Sequence, residues 1–128
     1  MKLILDTHTF LYFIAGSSRL SGDAQSLIED SNNENLISTA SLWEMAIKVS
    51  LGKLDLADPF DALIPEQIVV NGFKILTVEV EHIYRVVDLP LHHRDPFDRL
   101  LIAQALAEGF PIVSADGAFD HYSVRRLW

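Results

Sequence analysis

No cysteine occurs in these 128 residues. Disulfide frameworks, thiolate zinc sites and cysteine nucleophiles are all excluded, and the composition suits a reducing cytosol. The chain also lacks any run near the roughly 20 apolar residues that a bilayer span requires. Its opening, Met1-Lys2-Leu3-Ile4-Leu5-Asp6, meets a charge far too early for a signal peptide. A soluble, cytoplasmic protein with no membrane partner is expected. Positive charge is scarce, with 10 Lys and Arg against 18 Asp and Glu, a net charge of −8. Taken alone, that balance argues against a nucleic-acid partner, because affinity for a polyanion comes mainly from cations that neutralise phosphates. Bound metal, a basic partner or a local basic cluster has to supply what the bulk composition does not. No glycine-rich phosphate loop, internal repeat, linker or low-complexity segment is present, so residues 1–128 are expected to form one domain.

What is present is a chain that is 49% apolar, enough for a core without cross-links. Lys2-Leu3-Ile4-Leu5 reads as a buried strand and Thr7 to Ala15 as a helix. Ser21 to Asp30 is a second helix, and Asn35 to Ser38 a second strand. Leu42, Met45, Ala46 and Val49 recur at i, i+3, i+4 and i+7 within a helix from Thr39 to Leu51. Asp58-Pro59 signals a further helix start, with Pro65 expected to break that helix before Val70. Lys74 to Val78 is a third strand and Glu79 to Val87 a helix. Asp95-Pro96 opens a helix from Pro96 to Glu108, stopped by Gly109. Pro111 to Ser114 forms a fourth strand and Ser123 to Leu127 a candidate fifth. Strands alternating with helices predict an α/β fold, a three-layer α/β/α arrangement around a parallel sheet of four or five strands.

Ligands of such sheets bind beyond the carboxyl ends of the strands. Four acids fall at that edge. Asp6 follows the first strand, Glu44 lies early in the helix after the second, Asp98 lies in the first turn of the Pro96–Glu108 helix, and Asp116 follows the fourth strand. Each has an ordinary structural explanation. Asp6 can cap a helix, Ser41 and Glu44 have capping-box spacing, Asp95 and Asp98 can be cap and first-turn acid, and Asp116-Gly117 is a turn pair. Four carboxylates gathered on one rim are harder to attribute to capping alone, since they repel one another unless a cation joins them. An all-oxygen acidic cluster suits Mg²⁺ or Mn²⁺, and one or two such ions polarise a phosphate and activate water for phosphodiester cleavage.

The motifs Leu3-Ile4-Leu5-Asp6-Thr7-His8, Ser41-Leu42-Trp43-Glu44-Met45-Ala46-Ile47-Lys48 with Gly52-Lys53-Leu54, Asp95-Pro96-Phe97-Asp98-Arg99-Leu100-Leu101-Ile102-Ala103-Gln104-Ala105, and Ser114-Ala115-Asp116 occur in this order along the chain. On these residues the chain resembles the PIN domain family, and within it the VapC-type toxins of prokaryotic toxin–antitoxin operons. The resemblance implies that Asp6, Glu44, Asp98 and Asp116 are both catalytic and metal-binding. It further implies Mg²⁺ or Mn²⁺ as cofactor, endoribonuclease activity on an RNA substrate, a homodimer, and neutralisation by a cognate antitoxin protein. Asp120 is a candidate outer ligand, and Asp95 is favoured as a cap. Ser114 and Thr7 are candidates to position water or phosphate, or else backbone-bonding residues. Lys48 either contacts phosphate or pairs with Glu44. His92-His93-Arg94, and His121 with Arg125 and Arg126, are candidate positive patches. His8 either faces the site or sits on the helix surface, and Phe10, Tyr12, Phe13 and Trp43 are read as core or dimer surface. The rival readings are a metal-dependent phosphatase with Asp6 as nucleophile and a non-catalytic RNA- or protein-binding module of the same fold. Position 8 is histidine where a dehalogenase-type phosphatase needs an acid, and a module that lost catalysis usually lacks some of the acids retained here.

Overall fold

The computed structural model describes residues 1–92 and 94–128. In chain order the elements are β1 (Lys2–Leu5), α1 (Thr7–Ala15), α2 (Gly22–Glu29), β2 (Glu34–Ser38), α3 (Thr39–Ser50), α4 (Phe60–Val70), β3 (Lys74–Leu76), α5 (Val80–Val86), α6 (Pro96–Glu108), β4 (Ile112–Val113), a 3₁₀ turn (Gly117–His121) and β5 (Arg126–Leu127). The five strands form one sheet in the order β3-β2-β1-β4-β5, every pair parallel. This is the α/β architecture that the alternating pattern predicts.

Strand alternation divides the apolar residues between two cores. Leu3 and Leu5 face one side with Ile37 and Val113, where Phe10, Ala24, Met45 and Ile64 cover them from α1, α2, α3 and α4. Ile4 faces the other side with Leu36 and Ile112, beneath Leu101, Ile102 and Ala105 of α6 and Phe119 of the 3₁₀ turn. Helices thus close both faces. Among the described residues, no helix is long and apolar enough to cross a membrane.

Helix α6 runs from Pro96 to Glu108 as its local signals specify. The Asp95 carboxylate accepts from the N–H groups of Phe97 and Asp98, and Gly109 adopts φ 73° to end the helix. Four local readings of the sequence change in the structure. Pro65 does not break α4, which continues from Phe60 to Val70. Phe60, Ile64 and Ile68 pack on one apolar surface from both sides of the proline, so burial outweighs the missing N–H bond. Asp58 does not cap that helix either; Pro59 occupies the cap position, with no side-chain bond. The capping box read at Ser41 and Glu44 is absent as well, because Ser38 caps α3 by accepting from the Ala40 N–H. Strand β3 is shorter than the Lys74-to-Val78 run suggests. Beyond Leu76 the chain leaves the sheet, and the Val78 N–H donates to the Thr39 hydroxyl at the start of α3.

Candidate active site

The chain builds β1, β2 and β3 outward in one direction and then returns to add β4 and β5 on the other side of β1. The sheet order therefore reverses between β1 and β4, where a crevice opens beyond the strand ends. The Asp6 N–H still donates to the Val113 carbonyl, so the segments leaving β1 and β4 set out side by side.

Asp6 is buried, and both of its oxygens are engaged. One accepts from the Thr9 N–H at 2.8 Å, the helix cap foreseen as an ordinary role, and the other accepts from the Ser114 hydroxyl. Ser114 in turn accepts from the Asp116 N–H at 3.0 Å. One wholly buried hydroxyl thus ties the first acid to the backbone of the fourth. Thr9 adds a bond from its hydroxyl to the Val113 carbonyl at 2.8 Å, closing the seam between α1 and β4.

Glu44 is also buried, in the second turn of α3. Its Oε1 accepts from the Thr7 hydroxyl and its Oε2 from Lys48 Nζ, each at 2.7 Å. Thr7 bonds a candidate carboxylate, Ser114 bonds both a candidate carboxylate and the Asp116 backbone N–H, and Lys48 makes the ion pair that its spacing allows.

Asp98 stands in the first turn of α6. Its pKa rises from the ordinary 3.8 to about 7, first through burial and then through the negative charges of Asp95, Asp6, Glu44 and Asp116. All three of the other site acids act on it, so the four carboxylates share one electrostatic neighbourhood. Asp116 is exposed and caps the 3₁₀ turn through the Ala118 N–H. Together with Asp6, His8, Thr9, Tyr12 and Ala115 it lines a cleft of about 220 Å³. A hollow of about 380 Å³ lies at the opposite end of the sheet, among Lys2, Phe110 and Arg125, away from these acids.

As they stand, no three His, Cys, Asp or Glu side chains among the described residues are close enough to grip one ion. The donor set nevertheless fits a hard divalent cation, because it is all carboxylate, and burial together with the neighbouring negative charges already pushes Asp98 upward.

The remaining candidates separate by contact. Asp95 is a cap. Asp120 faces Arg126 in a two-point pair at 3.0 Å, and that guanidinium holds its carboxyl below the usual range. The same Arg126 donates to the Ser114 carbonyl at 3.1 Å, a support to the site that no sequence spacing announces. His92 stacks on His121 at 5.4 Å, joining the loop before α6 to the 3₁₀ turn, while His93 lies outside the described residues. Phe10 is core, and Tyr12 and Phe13 pack against it. Trp43 is exposed and meets the edge of Phe97, beside Asp98, at 5.3 Å.

Residues 3–124 match the PIN domain family. Ribonuclease VapC16 of Mycobacterium tuberculosis (strain ATCC 25618 / H37Rv) is 35% identical over 68 residues. That match spans about half the length of either protein, 50% of this chain and 48% of the relative. Among solved structures, VapBC2 from Rickettsia felis, bound to a DNA fragment from their promoter, superposes with a TM-score of 0.74 at 19% identity, covering 100% of this chain and 99% of that one. DNA-bound VapBC from Salmonella typhimurium gives 0.70 at 15% identity, covering 99% and 97%. At these identities the solved structures establish a shared fold, and the match over nearly the whole length establishes the kinship: the chain belongs to the PIN domain family.

Proposed function

We propose that residues 1–128 act as a single-domain, Mg²⁺- or Mn²⁺-dependent endoribonuclease, the toxin of a type II toxin–antitoxin pair. Asp6, Glu44, Asp98 and Asp116 are its metal-binding and catalytic acids. The observation that carries the reading is the convergence of Asp6, Glu44 and Asp116 on the half-buried Asp98, close enough for their charges to act on its carboxyl, at the topological switch point of the sheet. Membership of the PIN domain family, the partial likeness to a ribonuclease and the fold shared with toxin–antitoxin complexes support it.

A divalent ion bound among these acids would polarise the phosphate and lower the pKa of a bound water. The chain's own groups then have defined tasks. Ser114 holds the Asp6 carboxylate and the Asp116 backbone in register, Thr7 orients Glu44, and the start of α6 presents Asp98 ionised once positive charge arrives. The protein works in the cytoplasm as a homodimer and is neutralised by a cognate antitoxin.

RNA cleavage by purified protein, with and without Mg²⁺, tests the assignment. Cleavage that requires the ion and disappears in Asp6→Asn and in Asp98→Asn is expected. Cleavage that survives both substitutions sinks the assignment, and folded wild-type protein that binds RNA without cutting it supports the non-catalytic module instead. Induced expression should arrest growth, with Glu44→Gln relieving the arrest; normal growth despite folded wild-type protein removes the toxin role.

A further inference from the structure

A rim of four carboxylates repels the phosphates it is proposed to cut, and the net charge of −8 offers no general remedy. Two of the arginines near the acids are committed. Arg99 is buried and directs its guanidinium to the carbonyls of Val86, Leu89 and Pro90. Arg126 is engaged with Asp120 and the Ser114 carbonyl. Lys48 differs. Its Nζ lies 2.7 Å from Glu44 Oε2, yet its side chain is 38% exposed where that of Glu44 is only 6% exposed.

We infer that Lys48 is the phosphate-contacting cation of this site, held in reserve against Glu44 and released toward the RNA backbone when a divalent ion takes that carboxylate. The inference rests on the nuclease reading above. Three features of the local chemistry support it. First, Glu44 stays in place when Lys48 leaves, because Thr7 grips its other oxygen. Second, an ammonium and a divalent ion compete for the same Oε2 and repel each other, and a partly exposed i,i+4 pair is a weak contact to displace. Third, lysine ends a flexible four-carbon stem in a compact charge with three donors, suited to moving from a carboxylate to a phosphate oxygen nearby. In the metal-free protein the same lysine neutralises a buried acid; in the loaded protein it faces the substrate.

Calorimetric titration with Mn²⁺ alone, on wild type, Lys48→Met and Lys48→Arg, separates this from a merely structural ion pair. Steady-state RNA cleavage across a salt series accompanies it. Lys48→Met should bind Mn²⁺ about twofold more tightly, since a weak competitor is gone. Its KM for RNA should rise more than its kcat falls, and the salt dependence of binding should flatten by about 0.7 in log–log slope, the signature of one lost phosphate contact. Lys48→Arg should keep KM near the wild-type value. Weaker Mn²⁺ uptake by Lys48→Met, or a KM and salt slope equal to wild type, overturns the inference while leaving an active nuclease. Wild-type protein that takes up Mn²⁺ but cuts no RNA overturns the nuclease reading itself, and the inference with it.

Discussion

Asp98→Asn should stabilise the metal-free protein, although it removes a carboxylate assigned to catalysis. A carboxyl held at about 7 instead of 3.8 keeps its proton more firmly in the folded chain than in the unfolded one. Below pH 4 both states are protonated and the group contributes nothing. Between pH 4 and 7 the folded state binds more protons than the unfolded, so stability falls as pH rises, and the full penalty applies above pH 7. That rise in pKa corresponds to roughly 4 kcal/mol against the ionised folded form. Asp98 is only partly buried, so solvent screening reduces the figure to about 2 kcal/mol. For a chain of this length such a difference moves Tm by about 7 °C. Thermal unfolding followed by circular dichroism in EDTA, from pH 4 to 8.5, is the assay. Wild type and Asp98→Asn should coincide near pH 4 and diverge through pH 7, with the variant more stable. Mn²⁺ should then close the gap, since a ligand at 100 times its Kd adds about 2.7 kcal/mol to the protein that binds it. Parallel stability curves, or an asparagine variant less stable at pH 8, would refute the claim that the four acids share one field.

Ser114→Ala leaves the buried Asp6 carboxylate short of a donor and the Asp116 N–H short of an acceptor. It should lower metal-free stability by about 1–3 kcal/mol in denaturant titration, and an unchanged midpoint would count against the tie. Asp120→Asn should leave Mn²⁺ affinity and cleavage within about twofold of wild type, because its carboxylate faces Arg126 rather than the cluster; a tenfold weaker Mn²⁺ affinity in calorimetry would make it an outer ligand. Phe10→Ala empties the middle of the core under β1, where Phe73 packs at 5.7 Å. About 3–5 kcal/mol of stability should go, read from the shift in urea midpoint at constant slope.

The sequence by itself determined the order of strands and helices and the start and stop of α6. It also determined which four acids follow strand ends or open helices. Those signals are local: a carboxylate that bonds N–H groups two and three residues on, a proline in the first turn, a glycine in the left-handed region, an apolar residue every third or fourth place. Where burial competed with a local rule, burial won, as at Pro65, which sits inside a helix anchored on both sides of it. Only the tertiary structure decided who meets whom. Ser114 reaches Asp6 across 108 positions, Thr7 reaches Glu44 across 37, and Arg126 reaches the Ser114 carbonyl from β5. Each meeting depends on the order β3-β2-β1-β4-β5 and on its parallel register. That order is fixed by burying both faces of the sheet at once, a balance among distant segments that no window of neighbouring residues contains.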